Sequence, residues 1–152
     1  QGQIVHCQIV GDGPERERLQ HLSSELGITS HINFTGFVPE NEIYAMMKSA
    51  RVMVLTSERE GFGNIVLEAN CCGIPSIVAR GSESASPELV QEGTTGLTCE
   101  LSTVAIANAI STVLGDPNQF QRDECIDYAS GFQWTKVSDQ VLEIYESVLS
   151  RR

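Results

Sequence analysis

Val52-Met-Val-Leu-Thr-Ser-Glu-Arg-Glu60-Gly-Phe-Gly63-Asn-Ile-Val-Leu-Glu68-Ala-Asn-Cys-Cys-Gly73-Ile-Pro75 is the stretch whose reading decides the fold. Its first four residues form a short apolar run rich in β-branched side chains, the pattern of a strand buried on both faces. A polar turn, Thr56 to Glu60, leads into Gly-Phe-Gly-Asn. A helix-length pattern follows from about Ile65 to Cys72, and Gly73 and Pro75 end it. Ser76-Ile-Val-Ala79 then reads as a second strand. Strand, loop, helix, strand is a βαβ unit, and in an open parallel sheet ligands bind at the loop that leaves a strand's C-terminal end. The chemistry is therefore expected between Glu60 and Glu68.

The same alternation extends in both directions. Ile4 to Val10 reads as a buried strand, followed by Gly11-Asp-Gly13-Pro14 and a helix from Pro14 to about Leu26, with Leu19, Leu22 and Leu26 on one face and Gly27 at its end. His31 to Thr35 is a short strand, Gly36-Phe-Val-Pro39 its loop, and Glu40 to Ser49 a helix. After Ala79 come a polar loop, Gly81 to Pro87, one helical turn at Pro87–Gln91, and a strand at Leu97–Cys99. Ser102 or Thr103 caps a helix from about Val104 to Leu114, which Gly115-Asp-Pro-Asn118 breaks. Helices from about Gln119 to Ser130 and Thr135 to Leu149 complete the chain. The last carries Val137, Val141, Ile144, Tyr145 and Val148 at helical spacing and is expected to pack back on the body. About five strands alternating with helices give an α/β fold, a Rossmann-like parallel sheet flanked by helices. No linker-like segment divides the chain, so residues 1–152 are expected to form one domain.

Composition narrows the function. With 152 residues and 41% hydrophobic side chains, the chain has the make-up of a folded globular domain. Twenty acidic against ten basic side chains give a formal charge of −10, which argues against nucleic acid and anionic membrane surfaces as partners. No apolar run reaches the roughly 18 residues of a membrane span. The five cysteines, Cys7, Cys71, Cys72, Cys99 and Cys125, lack C-x-x-C spacing and read as buried, reduced thiols of a cytoplasmic protein. The three histidines show no ligand spacing, so no metal site is expected. Trp134 reads as a packing anchor.

The Glu60–Glu68 loop carries the chemistry available. Gly61 and Gly63 allow close backbone approach. A helix beginning near Asn64 presents free N–H groups and a positive dipole end, a combination that binds phosphate or pyrophosphate. Glu60 can reach sugar hydroxyls, and a carboxylate such as Glu68 can accept bonds from the two hydroxyls of a ribose. By themselves, the two glutamates read more readily as solvated charges, while Gly11-Asp-Gly13 reads equally well as a simple turn and Phe37 as core.

The flanking pattern goes further. Glu60-Gly-Phe-Gly63-x4-Glu68-Ala-x2-Cys-Gly73-x-Pro75 resembles the E-x7-E motif of retaining GT-B glycosyltransferases of the group 1 type. Gly11-Asp-Gly13-Pro14 is similar to that family's G-x-G-P turn, His31-Ile-Asn-Phe-x-Gly36-Phe-Val-Pro39 to its V-x-F-x-G-x-V segment, Tyr44 to Ala50 to its Y-x-x-A-x-x helix, and Glu88-Leu-Val-x2-Gly93-x2-Gly96 to its E-x-V-x-x-G-x-x-G segment. The resemblance covers nearly all of residues 4 to 149. It implies the C-terminal half of a GT-B fold, which binds a nucleoside-diphosphate sugar, while a separate N-terminal domain binds the acceptor.

The resemblance also implies roles. Glu60 contacts the donor sugar and stabilises charge at the reacting centre. Phe62, Gly63, Asn64 and Ile65 lie along sugar and diphosphate, and Glu68 holds the ribose. Phe37, Val38 and Pro39 line the base pocket, and Gly11 and Gly13 sit near the interdomain cleft. Transfer is expected to proceed with retention, without a metal or other cofactor, and any membrane association only through the N-terminal domain. Two departures stand out: the family's R-x4-K-G segment, which grips the diphosphate, would precede the first strand and is not in this sequence, and the loop from Gly81 to Pro87 is longer and richer in serine than the family's Gly-Gly turn. The fragment alone is expected to be inactive. The alternatives are a stand-alone module that binds a nucleotide or a protein without catalysis, and a nucleotide-sugar epimerase domain of the same fold.

Overall fold

The computed structural model describes residues 4–116 and 118–150. Pro117, part of the expected helix break, lies outside the described residues. The chain falls into two compact units, residues 1–43 and 44–152. All strand pairings between its named strands are parallel, and helices flank them.

In the first unit, β1 (Cys7–Val10) pairs with β2 (Ile32–Gly36), with Cys7 opposite Ile32 and Ile9 opposite Phe34. The intervening helix α1 (Arg16–Glu25) starts two residues after Pro14 and ends at Leu26, with Gly27 beyond it at φ 67° in the left-handed region that glycine tolerates. The expectation that Ile4–Val10 is buried is corrected: the strand starts at Cys7, and Ile4, Val5, Cys7 and Val10 are exposed. An apolar β-branched run specifies an extended backbone, but burial needs a covering layer on each face, and a two-stranded sheet with one short helix supplies little. Helix α2 (Glu40–Ser49) begins where the Pro39 carbonyl accepts bonds from the Glu42 and Ile43 amides.

The second unit holds a three-stranded sheet in the order β3 (Met53–Leu55), β5 (Ser76–Arg80), β7 (Gly96–Glu100). Helix α3 (Asn64–Cys71) covers one face, and α4 (Thr103–Gly115), capped by the Ser102 hydroxyl accepting from the Ala105 amide, covers the other. Alternate residues of β5 divide the core between them. Val78 joins Val66 of α3 and Leu89 on one face, while Ile77 joins Ala109, Val113 and Phe120 on the other. Burial of each of the larger side chains among these contributes about 1.5–3 kcal/mol. The strand with residues buried on both faces is thus the central β5, with Ser76 to Ala79 all buried. Expected in that role, β3 lies at the sheet's edge in this unit, and Val54 is 38% exposed.

Two further strands of two residues each, β4 (Arg59–Glu60) and β6 (Glu83–Ser84), make a parallel ladder of their own. They raise the expected five strands to seven. Helices α5 (Arg122–Ser130) and α6 (Trp134–Leu149) follow, and α5 packs on α3. The expectation for α6 is corrected: the helix forms with its apolar stripe, but none of its residues is buried, and Val141, Ile144, Tyr145 and Val148 are exposed. Trp134 is likewise no packing anchor, being 87% exposed. Periodicity defines an apolar face without defining what covers it. The thiols divide similarly. Cys72 and Cys125 are buried and Cys99 half-buried, while Cys7 and Cys71 are exposed, against expectation.

Candidate functional site

In the second unit the candidate residues lie between the ends of β3 and β5 and the start of α3. Glu60 closes β4 and is half-buried. Gly61 and Phe62 turn outward, with Phe62 half exposed. Gly63 is buried at φ 85° and directly precedes α3. A side chain there would be strained by the backbone angle and would collide with Ser86. Because the residue at the cap position is glycine, no side chain caps α3; the Val66 amide donates to the Gly63 carbonyl (2.9 Å), which leaves the Asn64 and Ile65 amides of the first turn to face a ligand. Asn64 stands exposed at the first helical position, and Ile65 anchors the turn against the Val66–Val78–Leu89 cluster. Glu68, one turn further along α3, is half-buried. Glu60, Phe62, Gly63, Asn64, Ile65 and Glu68 therefore occupy one loop and the helix that leaves it.

The loop has a brace that sequence reading missed. The Ala85 amide donates to the Glu60 carbonyl (3.1 Å), and the Glu83 amide donates to the Glu58 carbonyl (3.2 Å). Across the same ladder the Arg59 guanidinium pairs with the Glu83 carboxylate at 3.2 Å. Gly81 runs so close to the Glu58 backbone that a Cβ would collide with it. The Gly81–Pro87 loop, which looked like a departure without a clear role, is therefore packed against the Glu60 loop. The only sequence trace is Gly81, which fits a close backbone approach; a two-residue ladder between segments 24 residues apart has no periodicity to detect.

In the first unit, Gly11 and Gly36 meet through the Gly11 amide and the Gly36 carbonyl at 2.9 Å. That pairing sets the Gly11-Asp-Gly13 turn beside the segment Phe37-Val38-Pro39. The Asp12 carboxylate accepts from the Gly13 amide (2.8 Å). Arg16, also missed at the sequence level, reaches from α1 to the Phe34 carbonyl (3.0 Å) and to Asp12 (3.4 Å). Its spacing of four from Asp12 on a helix start was the available signal. Phe37 is 85% exposed and so is not core. The Pro39 carbonyl is engaged in starting α2.

Among the described residues no group of three or more His, Cys, Asp or Glu side chains is placed to hold a metal ion. Nor, among them, is any helix long and apolar enough to cross a membrane. A shallow groove between β7 and α4, lined by Arg80, Glu92, Thr98 and Asn108 among others, contains none of the candidate residues.

Comparison with known proteins identifies the family. The family model described as glycosyl transferases group 1 matches residues 1–131. The chain is 36% identical over 119 residues to a GDP-mannose-dependent alpha-(1-6)-phosphatidylinositol monomannoside mannosyltransferase of Mycolicibacterium smegmatis, covering 73% of this chain and 31% of that protein. It is 33% identical over 146 residues to the N-acetyl-alpha-D-glucosaminyl L-malate synthase of Bacillus anthracis, covering 93% and 37%. Among solved structures, Anabaena HepE in complex with UDP superposes with a TM-score of 0.78 at 26% identity, covering 94% of this chain and 41% of that one. The chain thus spans about a third of the length of the curated relatives it matches.

Proposed function

This chain belongs to the group 1 glycosyl transferase family, and we propose that it forms the donor-binding half of an enzyme that moves a sugar from a nucleoside diphosphate to an acceptor hydroxyl with retention of configuration. The observation that carries this reading is the uncapped N-terminus of α3 between Glu60 and Glu68. Backbone amides and the helix dipole there suit a diphosphate, in a protein whose formal charge of −10 leaves few cations for that task. In this reading Glu60, held at the end of β4, contacts the donor sugar and stabilises the positive charge that develops as the glycosidic bond breaks. Glu68 accepts bonds from the ribose hydroxyls. Phe62, Gly63, Asn64 and Ile65 flank the sugar and diphosphate. Phe37 and Val38 offer main-chain groups and an aromatic surface to the base, Pro39 shapes that segment, and Gly11 and Gly13 border the cleft toward the acceptor. No metal or cofactor takes part. The acceptor is bound by a further domain of the protein, which acts in the cytoplasm, and this chain alone transfers nothing.

The dependence of a mannosyltransferase relative on GDP-mannose and the UDP bound to HepE support a nucleotide-sugar donor. Calorimetric titration of the chain with UDP, GDP and ADP tests the reading. One of the three is expected to bind. Glu68→Ala is expected to weaken it by about ten- to a hundredfold, the loss of a charge-assisted pair of hydrogen bonds. The same substitution should leave a 2′,3′-dideoxy analogue of that nucleotide unaffected. Absence of binding by all three, or an equal loss for the dideoxy analogue, sinks the assignment.

A further inference from the structure

We propose that Ser86 is a positioning residue for Glu60, acting across Gly63, and that the Gly81–Ser86 segment sets the height at which the Glu60 carboxylate is presented. The functional consequence rests on the donor-site reading above; the mechanical coupling does not. Three contacts carry it. First, Ser86 is 1% exposed, and its hydroxyl is paired with that of Ser84 at 2.7 Å, so its place is fixed. It opens the short 3-10 helix Ser86–Leu89, whose Leu89 is packed in the core with Val66 and Val78. Second, Ser86 lies directly over Gly63: a Cβ at position 63 would sit 2.5 Å from the Ser86 Cβ and 3.4 Å from the Glu60 Cγ. Nothing but the missing side chain of Gly63 separates the serine from the loop that holds the glutamate. Third, the β4–β6 ladder ties the Glu60 carbonyl to the Ala85 amide, so the backbone one residue before Ser86 holds the glutamate directly.

The core thus fixes Leu89, the helical turn fixes Ser86, and Ser86 with the ladder fixes Gly63 and Glu60. A larger side chain at 86 crowds Gly63, which lies directly over the Ser86 Cβ. The amides at the start of α3 are anchored separately, through Ile65 and Val66 in the core. Displacement should therefore fall on the group that meets the sugar and spare the groups that meet the diphosphate.

The test uses Ser86→Val, Ser86→Thr and Ser86→Ala in the 152-residue chain, titrated calorimetrically with UDP and UDP-glucose and with GDP and GDP-mannose. In Ser86→Val the affinity for the nucleotide sugar is expected to fall about tenfold relative to that for the matching diphosphate, since small misplacements of a positioned group carry losses of this order. Binding of the diphosphate alone should change less than about threefold, and Ser86→Ala, which adds no bulk, should keep the wild-type ratio. A purely structural role would lower both affinities together. If Ser86→Val fails to fold, Ser86→Thr, with one added methyl, is read by the same criterion. A folded variant with an unchanged ratio overturns the proposal, as does an equal loss for both ligands.

If the unmodified chain binds none of the four ligands, the donor-site reading falls, and amide hydrogen exchange decides the coupling separately. Exchange about tenfold faster across residues 60–63 in Ser86→Val, with β5 unchanged, upholds it, because local opening is then confined to the braced loop. Unchanged exchange across 60–63 overturns it.

Discussion

Replacing Asn70 by aspartate should destabilise the protein in a pH-dependent way, although the change alters almost no volume. Asn70 is fully buried in α3, six residues after its first residue. Its side-chain amide donates to the Ile74 carbonyl (3.1 Å) and to the Thr95 carbonyl (3.2 Å), joining the end of the helix to the turns before β5 and β7. The Thr95 carbonyl keeps a second donor, the Ser76 amide at 3.0 Å. In Asn70→Asp the donating nitrogen becomes an oxygen facing two carbonyl oxygens. Two hydrogen bonds of about 1 kcal/mol each are lost, and an uncompensated buried charge brings the total to about 3–5 kcal/mol at neutral pH.

Burial and the absence of donors raise the folded-state pKa of the new carboxyl above its unfolded value of about 3.9. Below that unfolded value the acid is neutral in both states and the charge penalty vanishes; one of the two hydrogen bonds can even be remade by the carboxyl proton. Above it the unfolded state ionises first, and the penalty grows by up to about 1.4 kcal/mol per pH unit until the folded pKa is reached. Urea unfolding of variant and wild type at pH 4.5 and pH 7 measures the difference. The destabilisation should be at least about 1 kcal/mol larger at pH 7 than at pH 4.5. An equal destabilisation at the two pH values would refute the placement of Asn70 as a buried donor to two carbonyls.

Other outcomes follow from burial. A thiol reagent applied to the native protein, read by peptide mass spectrometry, should modify Cys7 and Cys71 and reach Cys72 and Cys125 only after unfolding; rapid labelling of Cys125 in the native state would contradict its burial on α5. Burial also pushes the Cys125 thiol up to about 11 from an ordinary 9.0. Its folded form stays neutral while the unfolded form ionises, so its contribution to stability is full below pH 9.0 and is lost as pH rises toward about 11, a slope that Cys125→Ala should remove from the unfolding free energy measured across that window. Removal of residues 134–152, which takes away α6, should cost less than about 1 kcal/mol in the isolated chain, because no α6 residue is buried; a loss of several kcal/mol in urea unfolding would show that α6 does cover the body.

The sequence was most legible where a few neighbouring residues settle the outcome. Gly27 and Gly73 end their helices at positive φ, and Ser102 caps α4, because each of these is a contact between residues at most four apart. The loop between Glu60 and Glu68 was legible for the same reason: two glycines, a strand before them and a helix after them make a βα turn whatever surrounds it. Even the division of β5 between two cores follows from strand alternation once both faces are known to be covered.

What the tertiary structure alone decided is which surfaces meet. Val52–Leu55 and Ser76–Ala79 look alike as apolar runs, yet only β5 is flanked by a strand on each side within its sheet. The α6 stripe has the spacing of a packed helix, yet none of its residues is buried. The brace on Glu60 is the sharpest case, since β4 and β6 are two residues each, polar, and separated by a helix and a strand. Their pairing depends on Gly81 and Gly63 leaving room for Glu58 and Ser86, and steric room between distant segments is a property of three-dimensional approach that no local pattern encodes. The sequence determined that a carboxylate would stand in this loop; the packing of a second loop against it decided how firmly it is held.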